Sequence, residues 1–415
     1  MFNQALIQND FFNFRISEFL NILSLNVVMI AITWWILEDA PSSLPLVLSL
    51  SAGFRILSYA LLNFLGDSVP YKKILITTKV INLAFIVLIM IFFSTSKFSI
   101  YYALPILGMS IIEGITMPIV MSIPPKMVTK EQLGSAMRFE GMLQSLSFIL
   151  GKVMGGAIIG ILGILLSFIS TVVGFIISII FCSMTKFPAL NNNSTEKWHK
   201  KLLNGYTMLI KNPIELGMAL TLTLVNFSFT PFILLGIPLL VKDVFHASAL
   251  YLGILEASIA VGIFFGSTFT AKFLAKKFSD DILCTFCIII AAFCLALHSV
   301  IENVWVSLFC LFILGQAMIT FNITSNTKRM LAMPDNYRSR LIGCTKIFIE
   351  GGIPLGFLAL GFLVEKFGIK AALIVFGCIP LLTPFILYQV PNFKKLMRSE
   401  LKDAENFYIK QGYVS

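Results

Sequence analysis

Charge is scarce in this sequence: Asp, Glu, Lys and Arg make up 13% of 415 residues, where soluble chains carry about 25%. Histidine is scarcer, with three residues at 199, 246 and 298, and no H-E-x-x-H pair is present to hold a hydrolytic zinc. There is no G-x-x-x-x-G-K-[ST] phosphate loop, which argues against direct use of ATP, and no nucleophile elbow. An enzyme therefore has no visible constellation, and neither a cofactor nor a metal is expected. A charged leader segment with a small-residue cleavage site is also missing, so the first apolar helix is expected to act as an uncleaved insertion signal. The seven cysteines, at 182, 284, 287, 294, 310, 344 and 378, all fall in apolar stretches. Cys284 and Cys287 form a C-x-x-C, but without a second ligand pair or a histidine they read as small buried hydrophobes.

What is abundant is apolar surface, at 57% of the residues. It comes in runs near the roughly 20 residues that a membrane-spanning helix needs, without the alternation of barrel strands. The fold class is thus all-α integral membrane, with about twelve transmembrane helices. The expected spans are 14–37, 45–66, 74–94, 101–123, 137–160 and 164–184, then 214–240, 250–271, 282–300, 304–326, 341–364 and 371–390. This divides the chain into a six-helix half over 1–184, a polar linker over 185–213, a second half over 214–390 and a tail over 391–415. The net charge of +10 does not require nucleic acid. With both termini placed inside, only Lys97, Lys242, Lys366 and Lys370 fall outside, and Arg55, Lys79, Lys152 and Lys346 lie within spans. All other Lys and Arg gather on the inner side, as the positive-inside rule requires. Trp34, Trp35, Tyr101, Tyr102, Tyr251 and Trp305 sit at expected outer ends, where an aromatic belt belongs. The basic tail is expected to face anionic lipid.

The halves also repeat. At one constant offset Gly151, Gly156 and Gly163 fall on Gly356, Gly361 and Gly368, so the fifth and eleventh spans correspond. Two such halves around a central loop form a transporter architecture, with substrate held near the midplane.

The loop after the second span reads Gly66-Asp67-Ser68-Val69-Pro70-Tyr71-Lys72-Lys73. It resembles the signature loop of the major facilitator superfamily, G-x-x-x-D-R-x-G-R-R/K, whose acid and bases latch the inner gate. Asp67 and Lys72 match and Lys73 adds a base one place late, while Asn63, Ser68, Pro70 and Tyr71 depart, so the latch is degraded. The run Gly151-Lys152-Val153-Met154-Gly155-Gly156 is similar to the G-P-x-x-G-G antiporter motif, with Lys152 in place of proline. Within the superfamily, the segments Ile237-Pro238-Leu239-Leu240-Val241-Lys242-Asp243-Val244-Phe245 and Pro334-Asp335-Asn336-Tyr337-Arg338-Ser339-Arg340 look most like the enterobactin-exporter and macrolide-efflux branch.

The resemblance implies a cavity lined by the first, fourth, seventh and tenth helices. Polar residues there are Asn21, Asn226, Gln316, Thr320 and Thr324, with Asn322 and Asn326 alongside. Helix–helix hydrogen bonding is the competing use of such groups. A charge within a span costs about 2.5–3.5 kcal/mol and needs compensation. Glu113, Glu350 and Glu256 are the candidate proton carriers, in that order, and Arg55, Lys152 and Lys346 are charge partners or substrate-binding groups. The implied helix adjacency would bring Arg55 near Glu350 and Lys152 near Glu113 or Glu256; Lys346 can pair with Glu350 at i,i+4. The same residues could instead be fixed ion pairs that hold the bundle in register. Free cations at Arg55 and Lys152 would favour an anionic substrate such as a carboxylate siderophore; internal pairing would remove that argument.

The expected function is secondary active transport: proton-coupled antiport by alternating access, exporting a siderophore or drug. Proton-coupled uptake of a metal–siderophore complex or other nutrient is the alternative, and an intramembrane lipid-handling protein or enzyme a minor one. The expected partners are the small-molecule substrate, protons and the lipid bilayer, with no nucleic acid. The chain is expected to be a monomer in a bacterial inner membrane, multi-pass, with both termini cytoplasmic.

Overall fold

Twelve helices long and apolar enough to cross a membrane run through the computed structural model, which describes residues 9–62, 69–95, 97–188 and 198–413. The first six are Asn9–Asp39, Pro41–Leu62, Tyr71–Thr95, Ile100–Met127, Phe139–Leu162 and Ile164–Met184. The last six are Pro213–Asp243, Ala249–Ala275, Asp280–Val300, Val304–Ala332, Leu341–Phe367 and Ile369–Gln389. Every expected span has its counterpart, so these helices are numbered in chain order below. Asp67 of the expected gating loop lies outside the described residues; Lys72 and Lys73 open the third span and are exposed.

Local chemistry sets where these helices begin and end. Asn212 caps the seventh span, its side chain accepting from the backbone N–H groups of Ile214 and Glu215, with Pro213 at the first helical position. Asn303 caps the tenth in the same way through Trp305 and Val306. Gly163 and Gly368 end the fifth and eleventh spans with φ of 88° and 79°, a left-handed backbone that favours glycine. These two glycines correspond under the internal repeat, so the repeat extends to backbone conformation.

Internal contacts divide the chain into two compact units, Met1–Ser194 with Val241–Ala257, and Thr195–Leu240 with Ser258–Ser415. In the first unit, the first span packs on the fifth and sixth, the second on the fourth, and the third on the fourth and sixth. In the second, the seventh packs on the eleventh and twelfth and the ninth on the tenth and twelfth. The neighbour pattern thus recurs six spans later.

Glycine makes the closest of these approaches possible. A Cβ on Gly151 would lie 2.7 Å from Asn26 Cβ and 2.9 Å from Leu23 O, and one on Gly155 would lie 3.2 Å from Val27 Cα. One on Gly156 would lie 3.1 Å from the Cα atoms of Gly253 and Leu250 in the eighth span. In the eleventh span a Cβ on Gly356 would meet Phe227 O and Pro231 of the seventh; Gly361, five residues on, is partly exposed.

Two expectations change. Trp35 is buried, edge-to-face with Phe93 and Phe98 and stacked with Tyr102, and its indole donates to Asp39 at 2.8 Å. It is therefore part of the packed first unit, whereas Tyr101 and Trp305 are exposed as a belt requires. The linker contains a helix, Trp198–Lys211, whose Leu209 is buried and which packs on the start of the eleventh span.

Candidate functional site

The candidate charges Arg55, Glu113, Lys152, Glu256, Lys346 and Glu350 each lie beside an opposite charge. In the first unit Lys79 Nζ lies 2.9 Å from Glu18 Oε1 and donates to Ser178 Oγ at 3.1 Å, and Ser178 donates to Ser17 O at 2.8 Å. This joins the first, third and sixth spans. Arg15 Nη1 lies 3.0 Å from Glu140 Oε1, joining the first span to the fifth. Lys152 pairs with Glu256 at 2.6 Å, both largely buried. Of the two partners expected for Lys152, the structure supplies Glu256. Arg55 lies 3.5 Å from Glu113, a partner the sequence reading did not give it, on side chains 29% and 49% exposed. The second and fourth spans are neighbours here, which puts these residues side by side.

The second unit contains a cavity of about 430 Å³ between the seventh, ninth, tenth and eleventh spans. Its apolar wall includes Phe229, Phe321 and Met318, and its polar wall Asn226, Asn322 and Asn326. Lys346 and Glu350 stand on the same wall, 3.8 Å apart.

The tenth span shows how helical rotation decides which polar residues line this space. Gln316, Thr320 and Thr324 form one stripe; Met318, Asn322 and Asn326 form another, displaced by two residues, or about 200° around the helix. The second stripe lines the cavity. Gln316 instead meets Thr270 of the eighth span at 2.5 Å, while Thr320 and Thr324 are buried. Of the expected lining residues, Asn226 is therefore on the wall, and Gln316, Thr320 and Thr324 lie off it. Asn21, in the first unit, is half-buried, with an Oδ1 that has no hydrogen-bond partner among the described residues.

Arg329, on the cavity wall, belongs to a buried cluster. The Arg329 guanidinium donates twice to Glu215, Nε to Oε1 at 2.8 Å and Nη2 to Oε2 at 2.5 Å. Its Nη1 donates to Asn326 Oδ1 at 3.1 Å. The Tyr408 hydroxyl donates to Glu215 Oε1 at 2.5 Å. Glu215 and Tyr408 are fully buried, and Arg329 nearly so. Burial first, and the Glu215 carboxylate second, push the Tyr408 phenol well above its usual range, so it remains a proton donor.

Tyr408 belongs to the tail, where a lipid-facing basic segment was expected. After the twelfth span the chain forms three short helices, Phe393–Arg398, Leu401–Ala404 and Phe407–Lys410. Phe393, Leu396, Met397, Ala404 and Phe407 are buried. Arg398 pairs with Asp281 at 3.0 Å, Lys328 pairs with Asp280 at 2.8 Å and donates to Met397 O, and Asn406 N donates to Leu331 O at 3.1 Å. The apolar residues within the tail, together with Arg398, hold it against the ninth and tenth spans. Sequence reading missed this docking and the Glu215–Arg329 pair. The readable signals were an acid in the first turn of the seventh span, an Arg in the last turn of the tenth, and the apolar residues spaced through the tail.

The twelve-helix fold and the repeated six-span pattern are those of a membrane transporter of the major facilitator type. Residues 19–408 match the family model described as "Transmembrane secretion effector", and the chain belongs to that family. It is 20% identical over 390 residues to macrolide efflux protein A of Streptococcus pyogenes, covering 91% of this chain and 95% of that one. Solved structures share the fold at low identity. Nucleoside transporter NupG superposes with a TM-score of 0.74 at 15% identity over 93% of this chain and 99% of that one. A bacterial homologue of the human lysosomal transporter Spinster gives 0.70 at 15% identity, covering 95% and 97%, and a bacterial metal transporter 0.69 at 14%, covering 95% and 99%.

Proposed function

We propose that this protein exports amphipathic organic compounds in exchange for protons, by alternating access across a bacterial plasma membrane with both termini in the cytoplasm. The observation that carries the reading is the cavity of the second unit, which sets Phe and Met surface beside Asn amides and the Lys346–Glu350 pair. Such a wall suits a molecule with a broad apolar face and a few polar groups. Glu350 stands in this wall and is the leading coupling carboxylate; Glu113, half-exposed beside Arg55, is the second. A carboxylate near a cation, in a space that alternately opens and closes to water, can take up and release a proton as its surroundings change. Glu256 is held tightly by Lys152 in a buried pair and serves the packing of the fifth and eighth spans.

The cations bear on substrate choice. Arg55, Lys152, Lys346 and Arg329 each face a carboxylate, which removes the argument for an anionic siderophore and favours a drug-like compound. The relative named for macrolide efflux supports the same direction. The test is transport by protein reconstituted in liposomes under an imposed pH gradient, with erythromycin as substrate. Exchange predicts that erythromycin moves opposite to the protons. Movement with the protons would make the protein an uptake system. Glu350→Gln should abolish the response to the gradient, and unchanged gradient-driven flux would remove Glu350 from the coupling role.

A further inference from the structure

The amides of Asn322 and Asn326, one helical turn apart on the cavity wall, are anchored by opposite ends. Asn322 Nδ2 uses one of its two N–H groups within the tenth span, donating to Met318 O at 3.0 Å; its carbonyl oxygen makes no bond within the span and is offered to the cavity. Asn326 is reversed. Arg329 has only donors, so the Asn326 atom that faces Nη1 must be the carbonyl oxygen, and the amide N–H2 is left for the cavity. The orientation of Asn326 therefore depends on Arg329, and that of Arg329 on Glu215. The Glu215 carboxylate is in turn held by the Tyr408 hydroxyl from the docked tail. Glu215 and Tyr408 are fully buried, so neither can exchange its partner for bulk water.

We propose that Asn322 and Asn326 form an acceptor–donor subsite for a hydroxyl- or carbonyl-bearing substrate, and that Tyr408 is a positioning residue for Asn326, acting through Glu215 and Arg329. The proposal deepens the export reading and rests on that cavity being the substrate site. The tail becomes part of the binding apparatus, although Tyr408 itself does not line the cavity. The subsite selects neutral oxygen groups about 5–6 Å apart, the spacing of i,i+4 side chains on a helix. A substrate that presents only an aliphatic surface gains nothing from it.

The experiment compares the wild type with Tyr408→Phe, Glu215→Gln, Asn326→Ala and the double variant Tyr408→Phe/Asn326→Ala, each purified and reconstituted. Tyr408→Phe keeps the packed ring and removes one donor, so it is the variant best placed to fold normally. With erythromycin as substrate, Asn326→Ala should raise KM about 2- to 12-fold, the range for loss of one hydrogen bond, with Vmax unchanged. Tyr408→Phe and Glu215→Gln should raise KM in the same direction, with Glu215→Gln the larger. The double variant should match Asn326→Ala alone, because both changes act on one contact. A Tyr408→Phe effect confined to Vmax, or one that multiplies with Asn326→Ala, would overturn the relay.

A second readout needs no substrate: the rate at which phenylglyoxal modifies Arg329, followed by mass spectrometry of the purified protein. The wild type should react slowly, and Glu215→Gln and Tyr408→Phe faster. Equal rates in all three would overturn the positioning role. If the wild type fails to move erythromycin, the proposed substrate fails, and the relay still stands or falls on Arg329 labelling.

Discussion

Replacing Arg329 by Met leaves the Glu215 carboxylate fully buried and without the two guanidinium bonds, at 2.8 and 2.5 Å, that now satisfy it. Removal of one partner from a buried ion pair costs about 3–5 kcal/mol, mainly because the remaining charge cannot recover its hydration. Arg329→Met alone should therefore lower the apparent melting temperature of the detergent-solubilised protein by many degrees. Apolar replacement of both charges by side chains of similar volume is often neutral or stabilising. In Glu215→Leu/Arg329→Met, however, the Tyr408 hydroxyl loses its acceptor in a buried position, at a cost of about 1–3 kcal/mol. Adding Tyr408→Phe removes that orphan, so the triple variant should recover most of the stability lost by Arg329→Met. Melting is read at one scan rate throughout, because membrane proteins commonly unfold irreversibly. If the single and triple variants melt at the same low temperature, the cluster is held by something other than mutual satisfaction of charge, and the reasoning fails. The triple variant should also lose substrate affinity while keeping its fold, which separates stability from recognition.

Other predictions follow from the remaining geometry. Glu256→Gln strands Lys152 in a largely buried position and should cost about 3–5 kcal/mol, whereas Glu302→Gln, on the exposed pair with Lys370, should stay within about 1 kcal/mol; melting of the two variants side by side checks this. Gly156→Leu places side-chain atoms where Gly253 and Leu250 Cα already lie near 3.1 Å, so the monodisperse fraction on gel filtration should collapse. Gly53→Ala, where nothing lies within 4 Å, should leave that fraction unchanged. The raised Tyr408 pKa means the folded state retains a proton that the unfolded state loses above about pH 10, so Tyr408 contributes stability that is intact below that pH and declines as pH rises beyond it. Melting temperature should therefore fall less steeply above pH 10 in Tyr408→Phe than in the wild type.

The twelve spans were legible because each depends on a property local to its own segment, about twenty apolar residues with few charges. The Gly163–Gly368 correspondence was legible for a related reason: the positive φ at both helix ends favours the same residue type. The charge pairs were less legible. Glu113 was expected near Lys152 or as a free carrier, and its contact with Arg55 depends on the rotation and depth of two helices, which the sequence does not encode locally. The same applies to the tenth span, where a displacement of two residues separates Gln316, facing the eighth span, from Met318, facing the cavity. The docking of the tail was not legible because its apolar residues, although more numerous than its basic ones, are interleaved with charge. Phe393, Leu396, Met397, Phe407 and Tyr408 are scattered over turns and short helices, so no single period marks them as one buried face.

The proposed exchange of substrate for protons has a direct equilibrium test: erythromycin is added to the purified protein in weakly buffered detergent solution and proton release is recorded. Exchange predicts release of protons by the wild type, and loss of that release in Glu350→Gln. Erythromycin binding without proton release at any pH, with transport equally indifferent to the gradient, would contradict the account.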